Sequence, residues 1–203
     1  MMRLAVLGAG GHGRVVAESA AAAGWDVDFF DDAQTDTVDG RRVIGKLEAA
    51  LSTPRNGVIV ALGNNRLRLD WINRLRAAGS VLATIIDPTA MVSPSAEIGE
   101  GSFLARGAVV STGARIGRGC IVNTAATVDH DCRLADGVHL SPGVHLSGSV
   151  TVGACSWLGT GVSVSNNISI GDDVIVGIGG AVIRNVASNQ TVVGVPARPV
   201  EKQ

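Results

Sequence analysis

The sequence predicts a Rossmann-like α/β half domain followed by a parallel β-helix of triangular coils. Two observations carry this. From Ile86 onward an aliphatic residue returns every six residues with no slip of phase, and ahead of it strand and helix patterns alternate around a glycine-rich turn at 8–13. Composition agrees: aromatics are 3%, Tyr is absent and there are 27 glycines, so the core must be filled by Val, Ile, Leu and Ala in small regular layers.

In chain order, residues 4–7 are a short apolar strand, 8–13 a glycine turn and 14–23 an Ala-rich helix that ends at Gly24. Residues 27–30 form a second strand, closed by Asp31 and Asp32. Residues 57–62 form a third, followed by Gly63, Asn64 and Asn65. Residues 70–78 read as a helix ending at Gly79, and 81–86 lead into the repeat. Alternating strands and helices make a small parallel α/β unit. The expected divisions are 1–83, 84–186 and a C-terminal tail at 187–203.

The repeat runs Ile86, Val92, Ile98, Leu104, Val110, Ile116, Val122, Val128, Leu134, Leu140, Leu146, Val152, Leu158, Val164, Ile170, Val176 and Val182. Six residues make one short strand and one turn. Three such units close a coil of eighteen, with each aliphatic side chain pointing into the prism. Glycine permits the tight corners. Successive coils should stack at the inter-strand spacing of about 4.8 Å. A sandwich does not hold a six-residue phase. The unbroken phase leaves no room for a long inserted loop, so the N-terminal unit must grip any acceptor.

A formal net charge of -1 makes no electrostatic case for nucleic acid or an anionic membrane. Cys120, Cys132 and Cys155 are odd in number and lack metal-type spacing, so neither a disulfide framework nor a metal site is expected. The opening apolar run breaks at Gly8, and no stretch approaches the roughly 20 apolar residues of a membrane span. A cytoplasmic protein is the expectation.

Gly8, Gly10 and Gly13 follow a strand and open a helix, in the spacing of a dinucleotide fingerprint, with Asp31 or Asp32 placed like a ribose-binding acid. Three readings stay open: the diphosphate of a nucleotide sugar, an NAD-type cofactor, or a purely structural turn. Gly10, Gly11, His12 and Gly13 are the candidate contacts, because N–H groups at a helix N-terminus hold phosphate. Asn64, Asn65 and Arg66 read as a loop at a strand's carboxyl end, where open α/β sheets bind ligands.

Taken in order, Gly8-Ala-Gly-Gly-His-Gly13, Asp31-Asp32, Leu62-Gly-Asn-Asn-Arg66, Asp87-Pro88, Asn123-Thr124, His130-Asp131-Cys132 and Gly194-Val-Pro-Ala-Arg198 resemble the sialic acid O-acetyltransferase type of sugar acetyltransferase. Within it they are most similar to the bacterial UDP-4-amino-sugar N-acetyltransferases. The resemblance covers nearly the whole chain. It implies a left-handed coil, a homotrimer, a nucleotide sugar held by the N-terminal domain, and CoA lying in a groove between adjacent β-helices. The implied reaction is acetyl transfer from acetyl-CoA to the amino group of a UDP-linked amino sugar. The rivals are O-acetylation of sialic acid or a related free sugar, and an NAD-binding or non-catalytic scaffold module.

Such a transfer needs a base and an oxyanion donor. His130 is the candidate base. It lies two residues after inward Val128, near a corner, flanked by Asp129 and by Asp131, which can orient an imidazole. The family pattern agrees, with Asp131 standing where relatives carry Glu. Gly148 falls one coil above His130 and is the candidate oxyanion donor. His139 lies half a coil from His130 and should not meet it within one chain; a neighbour's His139 would face the site in a trimer. His12, in the glycine turn, is read as a nucleotide-sugar contact. Asp32 is a nucleoside contact by the family pattern. Asn123 either orders the site or simply suits a tight corner. Trp71 and Trp157 read as packing residues, Trp157 at a subunit interface.

Overall fold

The computed structural model describes residues 2–200; Met1 and the last three positions of the expected tail lie outside them. The N-terminal unit runs β1 (Met2–Leu7), α1 (Gly11–Ala22), β2 (Trp25–Phe30), the hairpin β3 (Thr37–Val38) and β4 (Arg41–Arg42), a 3-10 turn at Leu47–Leu51, β5 (Gly57–Val60) and α2 (Asn65–Ala77). Its parallel sheet has the order β2-β1-β5, with Leu4 opposite Val27 and Gly57. Central β1 is apolar on both faces because a helix covers each. Leu4 and Val6 pack with Val16, Ala17 and Ala20 of α1, while Ala5 and Leu7 pack with Trp71, Ile72 and Leu75 of α2.

Helix α2 starts earlier than its sequence pattern suggests. The Asn64 side chain accepts the Leu67 N–H at 3.0 Å and caps it. Asn64, Asn65 and Arg66, expected as a ligand-binding loop, are therefore the cap and first turn of a helix. This is a correction to the sequence reading.

From Ile85 to Val192 the chain is a left-handed parallel β-helix, and Arg198–Pro199 folds back antiparallel on Val192–Val193. Its first face begins at Ile85–Ile86, its second at Met91–Val92 and its third at Glu97–Ile98. Ladder partners are eighteen residues apart, as in Ile121 with His139 and His139 with Trp157. Leu104, Val122, Leu140 and Leu158 are fully buried along the prism axis. Ile86, expected inside, is 37% exposed, because no coil lies beneath the first one.

Several contacts join the two halves. Ile85, Phe103 and Ile121, each one residue before an inward position, point off the first face into the core of β1 and α1. Ser19 of α1 donates to the buried carboxylate of Asp87 at 2.6 Å. Helix α2 lies along the corner between the third and first faces. There Gly101, Gly119 and Gly137 stack with φ of +70°, +60° and +71°. Glycine is required twice over: a Cβ at Gly119 would lie 2.4 Å from Ile72 Cδ1, and one at Gly137 would lie 2.8 Å from Leu69 Cδ1. One helical turn rises about 5.4 Å and one coil about 4.8 Å, so each turn of α2 meets roughly the next corner. Ile72 meets Gly119, Leu69 meets Gly137, Asn65 donates to the Cys155 carbonyl at 2.9 Å, and Arg66 pairs with Asp173.

Candidate functional site

Two clusters of chemically competent side chains lie on different parts of the prism. The first is at the corner between the second and third faces. Gly113, Asp131, Ser149 and Asn167 stack there, all with positive φ. Asp tolerates this left-handed conformation better than most residues. It turns the Asp131 carboxylate back onto its neighbour, accepting from His130 Nδ1–H at 2.9 Å. Nε2 then carries the lone pair. That nitrogen lies against the next coil: a Cβ at Gly148 would be 2.4 Å from it. Ser149 N–H donates to the His130 carbonyl at 2.9 Å and keeps the two coils in register. The hydrogen bond to Asp131, and then the charge of Asp129, raise the His130 pKa.

The second cluster is at the junction of the two domains. Gly8 (φ +99°) and Gly13 touch so closely that a Cβ on Gly13 would sit on the Gly8 carbonyl, whereas Gly10 and Gly11 have open space beside them. The first intrahelical bond of α1 runs from Arg14 N–H to the Gly10 carbonyl at 3.0 Å. The N–H groups of Gly11, His12 and Gly13 therefore have no intrahelical acceptor, which suits an anion. The His12 ring meets Phe103 edge-on at 5.6 Å and His139 at 6.3 Å between centroids. Asn123 Nδ2 approaches His139 Nε2 at 3.4 Å. Burial, and then the nearby Arg68 guanidinium, push His12 down to about 4. The same causes, with His12 added, push His139 down to about 3. Both rings are neutral at pH 7. Trp157, 39% exposed, stands one coil above His139 with its Nε1–H donating to Ser141 at 2.8 Å.

Other expected contacts have partners inside the chain. Asp31 accepts from the N–H groups of Ala9, Ala33 and Gln34. Burial alone would raise its pKa, but these three donors hold it below the usual carboxylate value. Asp32 accepts from Leu47 N–H at 3.0 Å. Both still line a cleft of about 350 Å³ with Gln34, Val43 and Lys46. Asn65 and Arg66 bond to the β-helix. His139 joins His12 and Asn123 within one chain, and the whole third face separates it from His130. A further groove of about 780 Å³ runs up that face beside Arg115, Arg133 and Thr151. Sequence reasoning missed Phe103 and Arg68. The period that places Phe103 was available, since it stands one residue before an inward position, eighteen after Ile85. Among the described residues no His, Cys, Asp and Glu group is arranged to hold a metal ion, and no helix is long and apolar enough to cross a membrane.

Residues 3–75 match the family model described as the PglD N-terminal domain. The fold superposes on the acetyltransferase domain of PglB from Neisseria gonorrhoeae, solved with acetyl coenzyme A, at a TM-score of 0.96 and 44% identity over 98% of this chain and 99% of that one. PerB from Caulobacter crescentus, solved with CoA and GDP-perosamine, gives 0.93 at 38% identity over 98% and 97% of the two chains. UDP-N-acetylbacillosamine N-acetyltransferase of Bacillus subtilis is 39% identical over 110 residues, and the match spans about half the length of that curated relative and half of this chain.

Proposed function

The chain belongs to the family of hexapeptide-repeat sugar acetyltransferases, and from that premise we propose that it moves an acetyl group from acetyl-CoA to the amino group of a UDP-linked amino sugar. The observation that carries the reading is the His130 corner: an imidazole oriented by Asp131, its free nitrogen beneath a glycine backbone.

The acceptor amine attacks the thioester carbonyl carbon. A C–N bond forms and the carbonyl oxygen takes up negative charge. His130 Nε2 receives the amine proton, and the Asp131 carboxylate stabilises the resulting imidazolium. Gly148 N–H is the oxyanion donor; one such donor is worth about 10²–10³ in kcat. As the C–S bond breaks, the proton passes from His130 to the departing thiolate, giving the amide and free CoA thiol. His130 returns to its neutral form.

The glycine turn receives the diphosphate on the N–H groups at the start of α1, and the Asp31–Asp32 cleft beside it takes the nucleoside. One chain keeps this junction and the His130 corner apart. We therefore read the working unit as a homotrimer, in which the base of one subunit faces the junction of the next. CoA lies between them, along the groove that passes Arg133, three residues beyond His130. A cytoplasmic setting, where acetyl-CoA and nucleotide sugars are at hand, is part of this reading.

The test is a thiol-release assay with acetyl-CoA against UDP- and GDP-linked amino sugars, with free sialic acid included. Turnover on a UDP-amino sugar supports the reading. Turnover on a GDP sugar alone corrects the nucleotide. Turnover on the free sugar alone moves the reaction to O-acetylation and removes diphosphate from the glycine turn. Light scattering at micromolar concentration tests the trimer, and a monomer there overturns the shared site.

A further inference from the structure

Arg68 has no part in the chemistry above, yet it is 1% exposed and the bulkiest of the fully buried side chains. Its Nε donates to the Gly119 carbonyl at 2.7 Å and its Nη1 to the Leu62 carbonyl at 2.9 Å. Its Nη2 donates to the Gly137 carbonyl at 2.8 Å and to Asn65 Oδ1 at 2.9 Å. Every one of these acceptors is neutral. Among the described residues none of its partners is a carboxylate. Burial pulls its own pKa down to about 10. A cation buried without a counter-charge is a poor packing residue, since an apolar side chain of similar volume costs less to desolvate. What a guanidinium supplies instead is a rigid planar fork that reaches several carbonyls at once.

Those carbonyls are well placed. Leu62 follows β5 and lies under the glycine turn: a Cβ on Gly8 would be 2.9 Å from Leu62 Cδ2. Gly119 and Gly137 are one coil apart on the corner against which α2 packs, and Gly137 leads within two residues into His139. The fork therefore ties the floor of the glycine turn to the rung that carries His139, across the gap where His12 and His139 stand 6.3 Å apart.

We propose that Arg68 is a positioning residue for the acceptor substrate: its tethers to Leu62, Gly119 and Gly137 set the width of the junction between the glycine turn and the His139 rung. The proposal rests on the reading that the nucleotide sugar binds at this junction. Arg68→Met keeps much of the volume and removes the tethers. Arg68→Lys keeps the charge, but a single ammonium does not reproduce the fork.

The test compares Michaelis constants for both substrates in the two variants, with thermal melts to establish folding. The expected result is a rise of about tenfold or more in KM for the UDP-amino sugar, with KM for acetyl-CoA within about twofold of the unaltered protein; tenfold corresponds to about 1.4 kcal/mol. A merely structural residue would lower stability and leave this split absent. An unchanged acceptor KM in either folded variant, or equal rises for both substrates, overturns the proposal. If Arg68→Met does not fold, Arg68→Lys carries the test. A substrate-free readout is the NMR cross-relaxation between the His12 and His139 ring protons, expected in the unaltered protein and weakened in the variants. Should no nucleotide amino sugar be turned over at all, the functional reading fails, and this signal still decides the role of Arg68: if it is unchanged in both variants, Arg68 does not set the gap.

Discussion

Replacing Gly148 with alanine separates the chemistry of His130 from the fold. The new Cβ would lie 2.4 Å from His130 Nε2 and 2.5 Å from Cε1. Non-bonded carbon and nitrogen settle near 3.5 Å, so the ring must withdraw by about 1 Å. Gly148 is not in the left-handed region, so alanine adds no backbone strain. The His130 side chain is 58% exposed and has solvent to move into, with little packing to lose. A displacement of that size is enough to break a 2.9 Å hydrogen bond to Asp131, and the methyl group covers the nitrogen proposed to receive the proton. The expected loss in kcat is about 10²-fold, the lower end of what a general base contributes. Stability should change by no more than about 0.5 kcal/mol, or roughly 1–2 °C in Tm for a chain of this size. Saturating thiol-release kinetics and a thermal melt on the same sample check both. A kcat within threefold of the unaltered protein would refute the placement of the base.

His130→Ala should lower kcat by about 10²-fold or more, and near-normal turnover would sink the assignment. The Asp131 hydrogen bond and the Asp129 charge raise the His130 pKa, and a base works unprotonated. The acid limb of kcat/KM should therefore have its midpoint above the ordinary imidazole value of about 6.5, and Asp131→Asn should move it to lower pH. Gly119→Ala places a side chain at φ +60° and 2.4 Å from Ile72. It should cost about 1–3 kcal/mol by urea unfolding, and a negligible cost would contradict the docking of α2 on that corner. Burial favours the protonated form of Asp87, but hydrogen bonds from Ser19 and Thr89, and then Arg106, hold its pKa below the usual value. Its stabilising effect is complete above the unfolded-state value near 4 and lost as pH falls through the lower folded value, so Asp87→Asn should flatten the acid end of the stability curve measured by denaturant titration.

The β-helix, the glycine turn and the His130–Gly148 stack were legible in the sequence because each follows from a local rule. A two-residue strand sends alternate side chains in and out, so a six-residue phase fixes which residues enter the prism, and adding eighteen finds the residue above. The same rule places Ile85, Phe103, Ile121, His139 and Trp157 on one outward line of the first face. What covers that line depends on how the N-terminal unit docks. Hence His139 reads from sequence only as a residue that meets a neighbour's site, and its place beside His12 in its own chain comes from the fold.

Docking decided the rest. Arg66, Arg68, Arg74 and Arg76 share one helix, and nothing in their spacing tells a buried tether from a surface charge. The near match between the pitch of α2 and the spacing of the coils selects Arg68 for the interior, and leaves Arg74 stacked on Trp71 and Arg76 paired with Glu100. It also turns Asn64, Asn65 and Arg66 from a ligand loop into a cap and two bridges. The sequence by itself determined what repeats along the chain, because strand and turn geometry act over a few neighbouring residues. The tertiary structure decided what meets across it, because contacts such as Arg68 with Gly137 depend on how two periods of different length align in space.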